Sequence, residues 1–527
     1  MKNKKICIIV LTLMIVATVI PVAGTLTKSN VPYLNKPSIK WEATYGGDLI
    51  DWGNCIQQTS DGGYIISGTY FRNAWSLWYS YFYLIKIDAN GNEEWHQIYG
   101  EYDSEHVAKS VQQTTDGGYI FAGFQGVTYK YDAYVQKTDC DGNIVWSCTF
   151  GDLDAYDNAQ SIQQTSDGGY IITGMTNSYG AIGTDALLIK IDSDGAEEWI
   201  QTLGGDNTDA GISVQQTYDG GFIVVGESDS FSDSGDVYLV KTDASGNEEW
   251  NQTFGGEGWD GGYGIDQTSD GGYIIAGRYE GENWDSDVYL IKTDEFGEEE
   301  WSKTFGGSDY DEGYSVQQTS DGGYFITGYY TDTENYDPDV YLIKTNASGD
   351  EEWNQIIDNG DTEDMGYYGI ETSEYEYIVT GYTGFYMDEV MDVWVIKLGV
   401  RNQAPNTPSI DGPINGKVGK EYEFTFISTD PDGDAIMYKI DWGDGKTEWT
   451  EYGDSGVEFT LKHSWTSQGS FTIKAKAIDF YGAESDWAEF TVTIPKDKAI
   501  NRPILTFLQN HLNLIPLLQK LLQQYWF

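Results

Sequence analysis

SVQQTSDGGY, Ser315–Tyr324, decides the fold because the chain writes it again and again. It returns as CIQQTSDGGY (Cys55–Tyr64), SVQQTTDGGY (Ser110–Tyr119), SIQQTSDGGY (Ser161–Tyr170), SVQQTYDGGF (Ser213–Phe222) and GIDQTSDGGY (Gly264–Tyr273), with a worn seventh copy, GIETSEYEY, at Gly369–Tyr377. Between copies runs a second phrase, DVYLVKTDASGNEEWNQTFGG at Asp236–Gly256. Its tryptophan recurs at Trp41, Trp95, Trp146, Trp199, Trp250, Trp301 and Trp353, at intervals averaging about 52 residues. A fixed period of that size, built from short strand-like runs, is the mark of a repeat architecture.

Each unit reads as four short strands. Ser-Val-Gln-Gln-Thr is the first, and Ser-Asp-Gly-Gly reverses the chain, glycine supplying the positive φ. Tyr-Ile-Ile-Thr-Gly is a short apolar run of the kind buried on both faces. A variable loop, Asp-Val-Tyr-Leu-Val-Lys-Thr and a second turn then lead into the tryptophan strand. Four strands per unit around an axis is the β-propeller solution. Seven copies of the first three strands run from Cys55 to Leu398, while an unpaired tryptophan strand, Ile39–Tyr45, lies at the other end. The expected fold is therefore all-β: a seven-bladed β-propeller closed by an N-terminal strand, followed by a second β domain.

The repeats resemble the SBBP-type β-propeller repeat of bacterial and archaeal surface proteins, over roughly Trp41–Leu398. That resemblance implies a fold and an extracellular setting and no defined reaction. The DxxGxxxW turn, Asp243–Trp250, is similar to the tryptophan-docking turn of quinoprotein propellers, one residue shorter. RNQAPNTP (Arg401–Pro408) breaks the repeat, and TDPDGD (Thr429–Asp434), IDWGDG (Ile440–Gly445), HSWTSQGSFTIKAKAID (His463–Asp479) and YGAESDW (Tyr481–Trp487) follow. These resemble a PKD domain, an immunoglobulin-like β-sandwich, with Trp442 where that family often has phenylalanine. The expected organisation is a signal peptide at 1–24, the propeller at 38–400, a linker at 401–408, the sandwich at 409–496 and an amphipathic tail at 497–527.

Composition and ends bound the function. The first residues, with Lys2, Lys4 and Lys5 before an apolar run from Ile6 to Ile20 and a small-residue Val22-Ala23-Gly24, read as a secretory signal, the alternative being an uncleaved anchor. Both put the bulk of the protein outside the cytoplasm. The net charge of −54 leaves no basic surface for phosphates and excludes nucleic acid as a partner. It suits a solvated acidic surface, life at high salt, or divalent cations. Cys140 and Cys148 flank one hairpin turn and could pair. The tail, with leucines at helical spacing interrupted by Pro516, suits contact with a membrane surface, an envelope or a partner, or else a poorly ordered end. The sequons Asn251-Gln252-Thr253 and Asn346-Ala347-Ser348 permit glycosylation.

A residue present in every repeat solves a problem that every repeat has. The strand-three lysines, Lys86, Lys137, Lys190, Lys241, Lys292, Lys344 and Lys397, are expected to pair with local carboxylates. Asp51, Asp157, Asp209, Asp260 and Asp311, with Asp364 as counterpart and His106 in the odd place, are expected to cap turns. Sites should lie where the repeat departs from itself. The loop after strand two is TYFRNAWSLWYSYF (Thr69–Phe82) in the first unit and GYTGFYMDEVMD (Gly381–Asp392) in the seventh. Closure would merge them, so Trp52, Phe71, Trp75, Trp78, Tyr79, Tyr367, Phe385 and Tyr386 form the candidate ligand-binding patch, aromatic faces beside aspartates being suited to sugar rings. Asp430, Asp432 and Asp434 alternate in a loop and could supply oxygen ligands to Ca²⁺, without the glycine and distal glutamate of an EF-hand.

No catalytic residues are assigned and no enzyme activity is expected. The propeller holds only Arg72 and Arg278, too few for an arginine cluster, and only His96 and His106. No carboxylate pair stands out for glycoside hydrolysis. The expected function is a secreted or cell-surface binding or adhesion protein recognising extracellular polymer, a glycan before a surface protein. Its alternatives are an extracellular carbohydrate-active enzyme and a structural envelope component. No cofactor is expected beyond Ca²⁺.

Overall fold

The computed structural model describes residues 36–71, 79–127, 130–152, 154–181, 183–231, 234–281, 285–331, 337–360, 362–373, 375–385, 390–399 and 402–495. The segments read as signal peptide and C-terminal tail, with Trp75, Trp78 and Tyr386, lie outside them. The described chain is all-β, and seven four-stranded antiparallel sheets precede residue 400.

The fourth sheet shows the plan. Asp209–Gln216, Phe222–Ser228, Asp236–Thr242 and Glu248–Phe254 lie side by side in chain order. Its two middle strands are buried almost throughout, because sheets pack on both of their faces, while the outer strand starts on two exposed glutamates. Charge on that edge discourages pairing with another chain. In the seventh sheet Glu363–Glu371, Tyr377–Phe385 and Val390–Gly399 are completed by Ser38–Tyr45, with Thr44 opposite Trp394 and Ala43 opposite Val395. The first strand of the described residues is thus the last strand of the last sheet.

Neighbouring sheets share hydrophobic clusters. Ile171, Leu188 and Leu203 of the third sheet pack on Val214, Phe222 and Val224 of the fourth. Val393 and Val395 of the seventh pack on Ile56, Ile66 and Ile85 of the first, with Tyr45 of the closing strand between them.

The paired glutamines of five copies, with Asp266-Gln267 in the fifth and Glu371 in the seventh, clasp one sheet to the next. The Gln216 backbone N–H donates to the Gln163 side chain of the sheet before, and Gln216 itself accepts from the backbone N–H of Ser166. The second clasp runs through all seven junctions. Its closing member, the Ser373 N–H to the Gln58 side chain at 3.0 Å, joins the last sheet to the first. A side-chain amide that both accepts and donates satisfies strand-end groups that a closely packed interface shuts off from water.

The recurring lysines behave as expected. Lys241 is buried and meets Asp219 at 2.9 Å and Glu249 at 3.0 Å. Equivalent pairs hold Lys86, Lys190, Lys292 and Lys344, while Lys137 has Asp116 and Lys397 has Glu376. The turn after strand three also has a packing reason. Gly246 has φ +78, and an added Cβ would stand 2.6 Å from the Trp199 ring of the preceding sheet. The tryptophan of one sheet covers the turn of the next.

The worn seventh copy has a cause too. Tyr375 stands where other copies have the first glycine and keeps that residue's left-handed conformation, φ +58. A bulky residue there is strained. Its ring packs on Phe480 and Tyr481 of the C-terminal domain, with centroids 5.9 and 6.3 Å away, so the turn has exchanged ease for a contact.

The C-terminal domain sets a three-stranded sheet (Ser409–Asp411, Tyr422–Ile427, Phe459–His463) against a four-stranded one (Ile436–Asp441, Thr447–Trp449, Gly469–Asp479, Ala488–Ile494). Trp442 and Trp465 fill the space between with Phe424, Phe426 and Tyr438. Trp442 stacks on His463 at 4.4 Å and donates its indole N–H to Glu448. No disulfide joins Cys140 to Cys148.

The turn aspartates cap as expected. Asp260 accepts from the backbone N–H of Gly256 and Glu280, and Asp311 from those of Gly307 and Thr331. Burial pushes Asp51 up to about 7 and Asp260 and Asp311 to about 6, against those backbone bonds. A raised folded pKa stabilises the fold below the unfolded value near 3.8, and that contribution is lost as pH rises through 6–7. In the exposed turns burial also raises Asp167 and Asp219, but bonds from threonine, backbone and lysine win and hold both at about 2. Those two stabilise above pH 4 and fade only in acid. The melting temperature should therefore be higher at pH 5 than at pH 8; a melt that rises steadily from pH 5 to 8 would refute this.

Candidate functional site

In every one of the seven sheets the first strand carries one residue too many. Pairing with strand two slips between Gly211 and Ser213, leaving Ile212 as a bulge, and the same slip isolates Asn54, Lys109, Gln160, Tyr263, Tyr314 and Tyr367. A bulge turns its side chain out of the regular alternation. What permits it is the glycine that ends Tyr-Ile-Ile-Thr-Gly. At Gly328 an added Cβ would lie 1.8 Å from the Glu312 carbonyl oxygen, and at Gly226 as close to that of Ala210.

All seven bulged residues line one cavity of about 660 Å³, with the first glutamines of the repeat below them. A glycine or alanine precedes each bulge, while the bulged residues are Asn, Lys, Gln, Ile and three Tyr.

The tyrosines form a connected wall. Tyr314 has its ring 5.5 Å from Tyr263, 5.3 Å from Tyr367 and 5.8 Å from Tyr329. Behind them Arg278 meets Glu280 at 3.2 Å and Glu312 at 3.5 Å and lies over the exposed Trp259. Glu227 bonds to Tyr263, and Glu312 bonds to Tyr314 and Tyr329. Burial raises both glutamates; the Tyr263 hydroxyl pulls Glu227 down, the Glu312 charge lifts it, and it settles at about 7. Carboxylates bonded to phenol hydroxyls hold the rings in place, and tyrosines and amides line the cavity. Aromatic faces stack on the C–H side of a sugar ring, and amides serve its hydroxyls.

The aromatic patch expected from the loops divides. Trp52, Phe71 and Tyr367 join one apolar cluster with Tyr382 and Met391, and Trp52 contacts Phe71 at 5.6 Å. Phe71 is only 7% exposed, so it serves as core between the first and seventh sheets. Tyr79 lies elsewhere, against Tyr102, and Phe385 is exposed. Among the described residues of that patch, Tyr367 alone lines the cavity. Loop length and composition carry no mark of the rest of the bulge row; its signal is a single column, the residue two before Val or Ile in six copies and two before Gly369 in the seventh.

Asp430, Asp432 and Asp434 do converge, each offering an oxygen within 4.8 Å of the others. Oδ1 of Asp430 accepts from the backbone N–H of Asp432 and Asp434, and its Oδ2 is buried without a hydrogen bond, as is Oδ2 of Asp434. Burial, then the charges of Asp430, Asp479 and Asp432, push the Asp434 carboxyl to about 6. This donor set fits a hard cation such as Ca²⁺. Gln403, at the joint between the domains, also bonds to Asp432 through its backbone N–H and side chain. Millimolar Ca²⁺ should raise the melting temperature of the C-terminal transition at pH 7.5, and Asp430→Asn should abolish that rise. An equal calcium response in wild type and variant would remove the site.

Residues 410–492 match the PKD domain family. Among solved structures the chain is similar to the PKD domain of an M14-like peptidase from Thermoplasmatales archaeon SCGC AB-540-F20, at 46% identity over 18% of this chain and 99% of that one, with a TM-score of 0.18. No curated protein matches the chain.

Proposed function

We propose that this chain, whose residues 410–492 form a PKD domain, is a secreted or surface-retained recognition protein that binds extracellular carbohydrate at the cavity of its repeat domain. The repeat domain, 38–400, is on this reading a seven-bladed β-propeller of the SBBP type, closed by its N-terminal strand. Its support is the order of the seven sheets and the clasp from Ser373 to Gln58. The PKD domain is the spacer behind it.

One observation carries the ligand reading. Seven bulged residues of five chemical types, one from each repeat, all line one cavity. The cavity is lined by tyrosine and amide groups, the surface a polyhydroxylated ligand needs, and its volume lies in the range of small-ligand sites.

A glycan-array screen of the protein in Ca²⁺ and in chelator tests the reading, with Tyr314→Ala as control. Specific binding that the variant loses supports it. A blank array in both conditions would exclude it and turn attention to an envelope role. The rival reading, a carbohydrate-active enzyme, has one observation in its favour: Glu227, a carboxyl at about 7 bonded to a cavity tyrosine. Turnover of a bound glycan that Glu227→Gln abolishes would establish that reading instead.

A further inference from the structure

Lys109 is the one bulged residue with a formal charge, and its surroundings are unlike those of the other lysines inside the repeat domain. Each strand-three lysine meets at least one carboxylate within 3.1 Å. Lys109 meets none among the described residues, in a chain with 84 acidic residues against 30 basic ones. An unpaired ammonium half withdrawn from water is costly to keep. Burial alone moves its pKa, downward, with no neighbouring carboxylate to restore it.

The groups beside it on the bulge row are amides. Asn54 donates to the carbonyl of Ala108, next to Lys109, and Gln160 follows on the third sheet. The tyrosine wall belongs to the fifth, sixth and seventh sheets. One carboxylate, Asp266, does line the cavity, but its oxygens are taken by the Gln215 side chain and the Gln318 backbone N–H. The lining is thus divided, with an uncompensated cation and amides on one side and aromatic faces on the other.

We propose that Lys109 anchors the carboxylate of an acidic saccharide, a uronate, whose ring stacks against Tyr263, Tyr314 and Tyr367. This rests on the carbohydrate reading above and names its ligand class. The ligand supplies the counter-charge that the protein withholds, and a charge-assisted bond formed in a cavity partly withdrawn from water outweighs the repulsion of the distant acidic surface, which salt screens.

The test is calorimetry on the intact secreted chain with two probes, a short oligogalacturonate and its carboxyl-reduced, neutral counterpart. The acidic probe should bind on the order of tenfold tighter than the neutral one. Lys109→Met should erase that preference, and Lys109→Arg should retain it. Because no protein group pairs with Lys109, the Met variant should also melt no lower than wild type. Equal binding of the two probes, or a preference that survives in Lys109→Met, would overturn the uronate proposal and leave the carbohydrate reading standing. A lower melting temperature in Lys109→Met would give the lysine a structural role and overturn it as well. Binding of neither probe, together with a blank glycan array, would bring down both.

Discussion

Deleting Ser38–Tyr45 should lower the melting temperature of the repeat domain by about 10 °C and drive the protein to associate. The strand is only eight residues long, but it does three things. It places Tyr45 in the cluster between the seventh and first sheets, and the Tyr45 hydroxyl donates to the Gly91 carbonyl. It covers the turn at Gly91 with Trp41. It pairs with Val393–Gly399, which would otherwise present a long apolar edge to solvent. Losing one buried aromatic costs about 3–5 kcal/mol, and the exposed edge is a template for another chain. Thermal melts and size-exclusion chromatography read both effects. A peptide carrying residues 38–45 should restore part of the loss by adding as a strand. A deletion variant that melts like wild type and stays monomeric would show that the series of sheets needs no closing strand.

Gly328→Ala should destabilise the domain by roughly 3 kcal/mol and weaken glycan binding together. The glycine has no free space on the Glu312 side, where a Cβ would fall 1.8 Å from the carbonyl oxygen and 2.9 Å from the Gly313 Cα. Two backbones cannot absorb that contact as a flexible side chain would, so strand one must shift and the bulge must flatten. A flattened bulge returns Tyr314 to the ordinary alternation and breaks the wall it forms with Tyr263 and Tyr367. Ala244→Gly, in an exposed turn, is the control and should leave binding unchanged. Chemical denaturation and the glycan titration together decide the matter. Lost stability with intact binding would show that the bulge does not position the tyrosine.

The strand plan was legible because its causes are local. Glycine at the DGG reversal, alternating apolar runs and a tryptophan every 52 residues or so can each be recognised without knowing what they touch. The pairing of Lys241 with Asp219 was legible for the same reason, since both belong to one unit and the pattern repeats. The role of the glutamine pair was not. Gln163 and Gln216 are brought together only when two sheets pack, and nothing in either unit names its neighbour.

The site shows the same division. Asp430, Asp432 and Asp434 lie within one loop, so their convergence was foreseeable. Composition does not say what a loop aromatic touches, and Phe71 is core because the seventh and first sheets meet over it. By itself the sequence determined the repeat, the strand order within the first six sheets, the lysine pairs and the acidic loop, all consequences of contacts inside about fifty residues, and the unpaired strand at 39–45 marked the closure of the seventh. Only the tertiary structure decided that seven bulged side chains, spread from Asn54 to Tyr367, face a single cavity, because a register slip changes where a side chain points and leaves no mark in composition.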